Sequence, residues 1–133
     1  MKKNIYYISI LLFFLFSGCK KDEIISSKPG ESISPVTNLQ GSIAGNKVNL
    51  NWKLPSSLPK DIVTPVSVLI LTSIDGINKG TLVLENAPEN YIYTSFDPSK
   101  KYKFTIKVIG SVNTEDPFVS NLRYSPGETV AVN

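Results

Sequence analysis

Between Pro35 and Asn133 the chain carries prolines at positions 35, 55, 59, 65, 88, 98, 117 and 126. Each removes a backbone donor and collides with the preceding turn of a helix, so few helices could survive this spacing. Among the prolines, apolar and polar residues alternate with period two, and turn residues break the pattern about every 10–15 positions. No run places apolar residues at i, i+3, i+4 and i+7 as a helix packed on a core requires. Such a chain buries an apolar face by pairing strands and packing sheet on sheet. An all-β sandwich is therefore expected.

Seven strands are predicted: Val36–Ile43, Lys47–Leu54, Pro65–Ser73, Gly80–Glu85, Asn90–Phe96, Lys101–Gly110 and Glu128–Val132. Ala44-Gly45-Asn46 joins the first two, and Asp75-Gly76, a strong hairpin pair, ends the third. Alternation assigns faces. Val48, Leu50 and Trp52 point one way, with Asn49, Asn51 and Lys53 opposite. Tyr102, Phe104, Ile106 and Val108 point inward, with Lys103, Thr105 and Lys107 to water. The third strand breaks the rule, because Val68, Leu69, Ile70 and Leu71 make both its faces apolar. Two readings fit: a central strand whose outer face is covered by neighbouring side chains or by the upstream segment, or a docking patch. The covered strand is the expectation.

The residues then point to a family. Pro35-Val36-Thr37-Asn38-Leu39 is similar to the first strand of fibronectin type III domains, and Val48-Asn49-Leu50-Asn51-Trp52 to their second, with Trp52 at the core tryptophan. The run from Phe96 to Val108 resembles their fifth-to-sixth strand corner, and Phe96 stands where leucine is usual. The resemblance implies a seven-stranded immunoglobulin-like sandwich over residues 35–133. It also implies a tyrosine corner at Tyr102, whose hydroxyl bonds back to nearby backbone. It puts Tyr91 and Tyr93 on the inner face rather than on an exposed sugar-stacking platform. Ser111 to Pro126 is longer than the loop usual before the last strand.

The amino terminus carries an address. Lys2 and Lys3 precede the apolar run Ile5–Phe16, whose one non-aromatic polar residue is Ser9, and Ser17, Gly18 and Cys19 follow. A basic start, a short apolar run and small residues before a cut site are the parts of a secretory signal peptide. The run covers roughly 18 Å as a helix, against about 30 Å of hydrocarbon to be crossed, so it does not read as a membrane span. Leu15-Phe16-Ser17-Gly18-Cys19 resembles the lipobox of bacterial lipoproteins, with Phe16 where a smaller aliphatic residue is usual. That resemblance implies cleavage of residues 1–18, acylation of Cys19 and attachment to a membrane by lipid. Lys20-Lys21-Asp22-Glu23 resembles the charged tag that sends lipoproteins of Bacteroidota-type bacteria to the exterior of the outer membrane. Residues 19–34 read as the lipidated tether, its stretch from Ile24 to Ser34 being too poor in apolar residues to bury much.

Without Lys2 and Lys3, 12 basic side chains face 11 acidic ones. That balance, without a basic patch, gives no reason to expect nucleic acid as a partner. The chain has no histidine, and its one cysteine is the expected acylation site. No serine lies in a Gly-x-Ser-x-Gly elbow, no glycine-rich phosphate loop is present, and the adjacent Glu115 and Asp116 make a poor facing carboxylate pair. The expectation is a non-enzymatic protein without catalytic residues, metal or cofactor. Binding is the stronger class. The loops Pro55–Thr64 and Ser111–Pro126 fall at one end in fibronectin topology, and the second holds Phe118, Arg123 and Tyr124, residue types enriched at interfaces. Two functions follow. One is a surface accessory module that takes a glycan or partner protein at that loop end. The other is a structural spacer or assembly subunit that docks to another outer-membrane protein through its sheet face. Exposed aromatics at the loop tips would favour the first, and on the third-strand face the second.

Overall fold

The computed structural model describes residues 30–115 and 120–133, and every regular element among them is a β-strand. In chain order these are β1 (Thr37–Ala44), β2 (Lys47–Lys53), β3 (Ile62–Ile74), β4 (Ile77–Leu84), β5 (Asn90–Tyr93), β6 (Tyr102–Val112), β7 (Leu122–Tyr124) and β8 (Glu128–Val132). β1, β2 and β5 form one antiparallel sheet. β4, β3 and β6 form the other, and β7 and β8 follow one another along the free side of β6. This is the immunoglobulin-like sandwich of fibronectin type III kind that the residues imply.

The alternation sorts as expected. Val48, Leu50 and Trp52 from one sheet meet Val68, Ile70, Phe104, Ile106 and Val108 from the other, and all are buried. Asp75 and Gly76 both adopt positive φ and close the β3–β4 hairpin with Ile74 opposite Ile77, the geometry that suits a two-residue turn. The tyrosine corner is present. The Asp97 amide donates to Tyr102 Oη at 3.0 Å, and that hydroxyl donates to the Ser95 carbonyl at 3.3 Å. Around it Tyr93, Phe96, Tyr102 and Phe104 pack with ring centroids 5.0–6.1 Å apart. Trp52 Nε1 donates to the Pro88 carbonyl at 2.8 Å, so its one polar atom is satisfied.

Three features differ from the sequence expectation. The tether expected to reach Ser34 ends sooner, because Ile33 is fully buried in the core. It fits because Gly110 has no side chain: a Cβ there would stand 2.8 Å from Ile33 Cδ1 and 2.7 Å from Ile62 Cγ2. A single isoleucine in a polar stretch gives no periodicity, so the sequence pattern could not reveal it. A short extra strand also precedes the expected last one, which is found with its predicted bounds, so there are eight strands rather than seven. Within the expected loop Ser111–Pro126, Leu122–Tyr124 pairs with Ile109–Ser111 of β6. Ser125 and Pro126 then interrupt the ladder. The buried Ser125 hydroxyl accepts from the Val108 amide at 2.8 Å, and the Ser125 amide donates back to the Val108 carbonyl at 2.9 Å. Pro126 has no donor to offer, and Gly127 passes so near Thr105 that a Cβ would lie 2.7 Å from its methyl. Finally, β5 is regular only to Tyr93, although Phe96 beyond it remains buried.

Candidate docking face

β3 lies between β4 and β6, so its outward side chains sit in rows with theirs. Opposed residues on antiparallel strands share a face. Val83, Leu69 and Lys107 make one row, and Thr81, Leu71, Thr105 and Thr129 the next. Toward β7 the rows are Ser67, Ile109 and Tyr124, then Val63, Ser111 and Leu122. The outer face of the five-stranded sheet thus holds Leu69 and Leu71, both half-buried, among Val63, Val83, Leu122 and Tyr124, which are 50%, 49%, 41% and 48% exposed. The covered-strand expectation therefore holds for Leu69 and Leu71 only in part. Its charged strand residues are Lys103 and Lys107, and it has no acidic one. Apolar residues gathered on one face, with cations beside them, suit a partner surface that is apolar at its centre and acidic at its rim.

The residues expected at the loop end divide. Phe118, like Cys19 and Lys20, Lys21, Asp22 and Glu23, lies outside the described residues. Arg123 and Tyr124 are neighbours on β7 and so point to opposite faces. Arg123 is aligned with Gly110 and turns inward, where its side chain is 15% exposed. Its Nη1 and Nη2 donate to the two carboxylate oxygens of Asp61 at 3.0 and 2.7 Å, and Nη1 also donates to the Glu31 carbonyl. That hydrogen bond holds the Asp61 carboxyl below the usual carboxylate range and raises the Arg123 guanidinium in turn. The arginine thus clamps the loop before β3 to the upstream segment that delivers Ile33. Tyr124, aligned with Ile109, lies on the open sheet face. The structure does not bring these two side chains to one surface.

Tyr91 and Tyr93 pack against the core, as the resemblance implies. Burial raises the Tyr93 phenol above its usual range, with Tyr102 and Tyr91 adding to the effect. Their outer edges, with Ile70, Thr72, Lys79 and Leu82, line a groove of about 260 Å³ between the free edges of the two sheets. Among the described residues no cluster of three or more potential metal ligands occurs.

These features define an immunoglobulin-like sandwich module with an uncovered apolar sheet face. The chain belongs to the family described as a domain of unknown function, DUF4945, whose match runs over residues 19–132. Among solved structures it is similar to titin kinase and its flanking domains, at 17% identity and a TM-score of 0.47. That likeness covers 76% of this chain and 17% of the titin chain. No curated protein matches it.

Proposed function

We propose that this protein is a non-enzymatic, lipid-anchored module of the bacterial outer membrane that docks to another protein of that membrane through the outer face of its five-stranded sheet. Acylation at Cys19 would hold it to the membrane, and Lys20, Lys21, Asp22 and Glu23 would direct it to the cell exterior. The order of basic, apolar and small residues before Cys19 supports the anchor, as does a family match that begins at that residue. One observation carries the docking reading: Tyr124, the exposed aromatic expected on a loop tip, lies on the same sheet face as Leu69 and Leu71. The glycan reading at the loop end has less support, because Arg123 spends its guanidinium on Asp61 and Glu31.

The test places a photo-reactive amino acid at Val83, Leu122 or Ile92 of the full chain in living cells. Val83 and Leu122 should capture one and the same membrane protein, and Ile92, equally exposed but on the other sheet, should not. Capture that is no stronger at Val83 and Leu122 than at Ile92 rejects the docking face. Intact-mass measurement should find acyl mass on Cys19, and its absence rejects the anchor.

A further inference from the structure

β4 is the free edge of the five-stranded sheet: β3 pairs with one side of it, and no strand of the described chain pairs with the other. The strand is exposed along nearly its whole length, with Ile77 59%, Leu82 38% and Val83 49% exposed. Folded proteins usually blunt such an edge with a charge or a bulge. Here that device covers only the first half. The ladder steps from Thr72–Gly80 to Ser73–Asn78, which leaves Lys79 as the extra residue of a bulge. Beyond it, Gly80 to Leu84 is regular, free of proline and mostly apolar.

The residues flanking this stretch are self-complementary. Lys79 and Glu85 stand at equal distance in sequence from Leu82, both are exposed, and neither joins the ion pairs formed among the described residues. An antiparallel pair of two β4 strands with its two-fold axis at Leu82 brings the bulged Lys79 of each copy to the end of the paired stretch, beside Glu85 of the other just past its β4. It also sets Leu82 against Leu82, Thr81 against Val83 and Gly80 against Leu84. Each contact is made twice by symmetry. A centre one residue earlier loses this, because Lys79 then meets Val83 and Glu85 meets Ile77. Gly80 also has open space where a side chain would be, with nothing within 4 Å of that position, so the second copy's Leu84 has room. We propose that two copies of this chain join edge to edge through β4, centred on Leu82, and so extend the sheet across the two-fold axis. A five-residue strand pair buries less than the roughly 1,000 Å² typical of an interface stable in free solution. The association therefore rests on the lipid anchor of the proposed function, which would confine copies to a membrane and raise their effective concentration.

The experiment introduces Leu82→Cys into the full chain and applies a mild thiol oxidant to membranes of the cells that produce it. Directly opposed Cα atoms of paired strands lie about 4.5–5.5 Å apart, within disulfide reach, so a dimer should appear. The unaltered chain and Ile92→Cys should stay monomeric under the same oxidant. Adding Lys79→Glu should lower the dimer several-fold, and adding Glu85→Lys to that should restore it. If Leu82→Cys lowers the amount of folded chain, co-production of a Thr81→Cys chain with a Val83→Cys chain reads the same register from the opposite face. The proposal is overturned if these cysteines cross-link no better than Ile92→Cys, if they join a different protein, or if the dimer is indifferent to the charge reversals.

Discussion

Arg123 and Tyr124 differ by one position in the chain and by a whole face in the fold, and the fate of each follows from its partner on β6. Arg123 meets Gly110, where no side chain blocks its path inward to Asp61 and Glu31. Tyr124 meets Ile109 on the outer side. Trp52 shows the other kind of commitment. It is 2% exposed, and its indole donates to the Pro88 carbonyl just ahead of β5, the strand that pairs with its own. Trp52→Ala should destabilise the domain by about 3–5 kcal/mol, the range for a truncated core aromatic. Domains of this size hold together by about 5–15 kcal/mol, so chemical denaturation followed by circular dichroism should show a large shift of the midpoint. A midpoint within error of the parent would place Trp52 outside the core. The core residues were legible because burial imposes a period on the sequence. The role of Arg123 was not, because its partner Asp61 lies 62 positions away and no local pattern joins them.

At the scale of elements, all seven expected strands were legible within a few residues at their ends, since most are long enough to alternate several times. β7 was missed because three residues cannot establish a period, and because Ser125, Pro126 and Gly127 read as turn. That break is held by the hydroxyl and the amide of Ser125, which bond the amide and the carbonyl of Val108. Ser125→Ala leaves the Val108 amide without an acceptor in a buried place, which costs about 1–3 kcal/mol. The expected outcome is a lower thermal midpoint, with faster amide exchange at Val108 than elsewhere in β6. Exchange at Val108 that matches the parent chain would mean that the hydroxyl is not its acceptor. The same broken strand brings Tyr124 into line with Ile109 and so enlarges the apolar face beyond β3. The sequence showed an apolar outer side for β3 alone. Val63, Val83, Leu122 and Tyr124 join it through register, which only pairing reveals.

For the whole molecule, three surface carboxylates share one behaviour. Asp61 is held down in pKa by the Arg123 hydrogen bond, Glu89 by the Leu54 amide and then Lys53, and Asp97 by the Ser99 hydroxyl and amide. A carboxyl whose pKa is lower folded than unfolded adds stability above its unfolded value, and that stability is lost as pH falls through the folded value. The unfolded references are 3.8 for the aspartates and 4.5 for Glu89, so the thermal midpoint should hold from neutral pH to about 5 and fall below about 4. The triple change Asp61→Asn, Glu89→Gln and Asp97→Asn should flatten that fall, and an unchanged profile would assign the acid sensitivity to other groups. Ile33 has a consequence of another sort. The repeating pattern of the sandwich starts at Pro35, yet the socket beneath Gly110 is filled from upstream. The unit that can be transplanted is therefore larger than the unit that can be recognised. A graft cut at Pro35 would carry an unfilled hole into its new setting, whereas one cut at Gly30 would bring its own stopper.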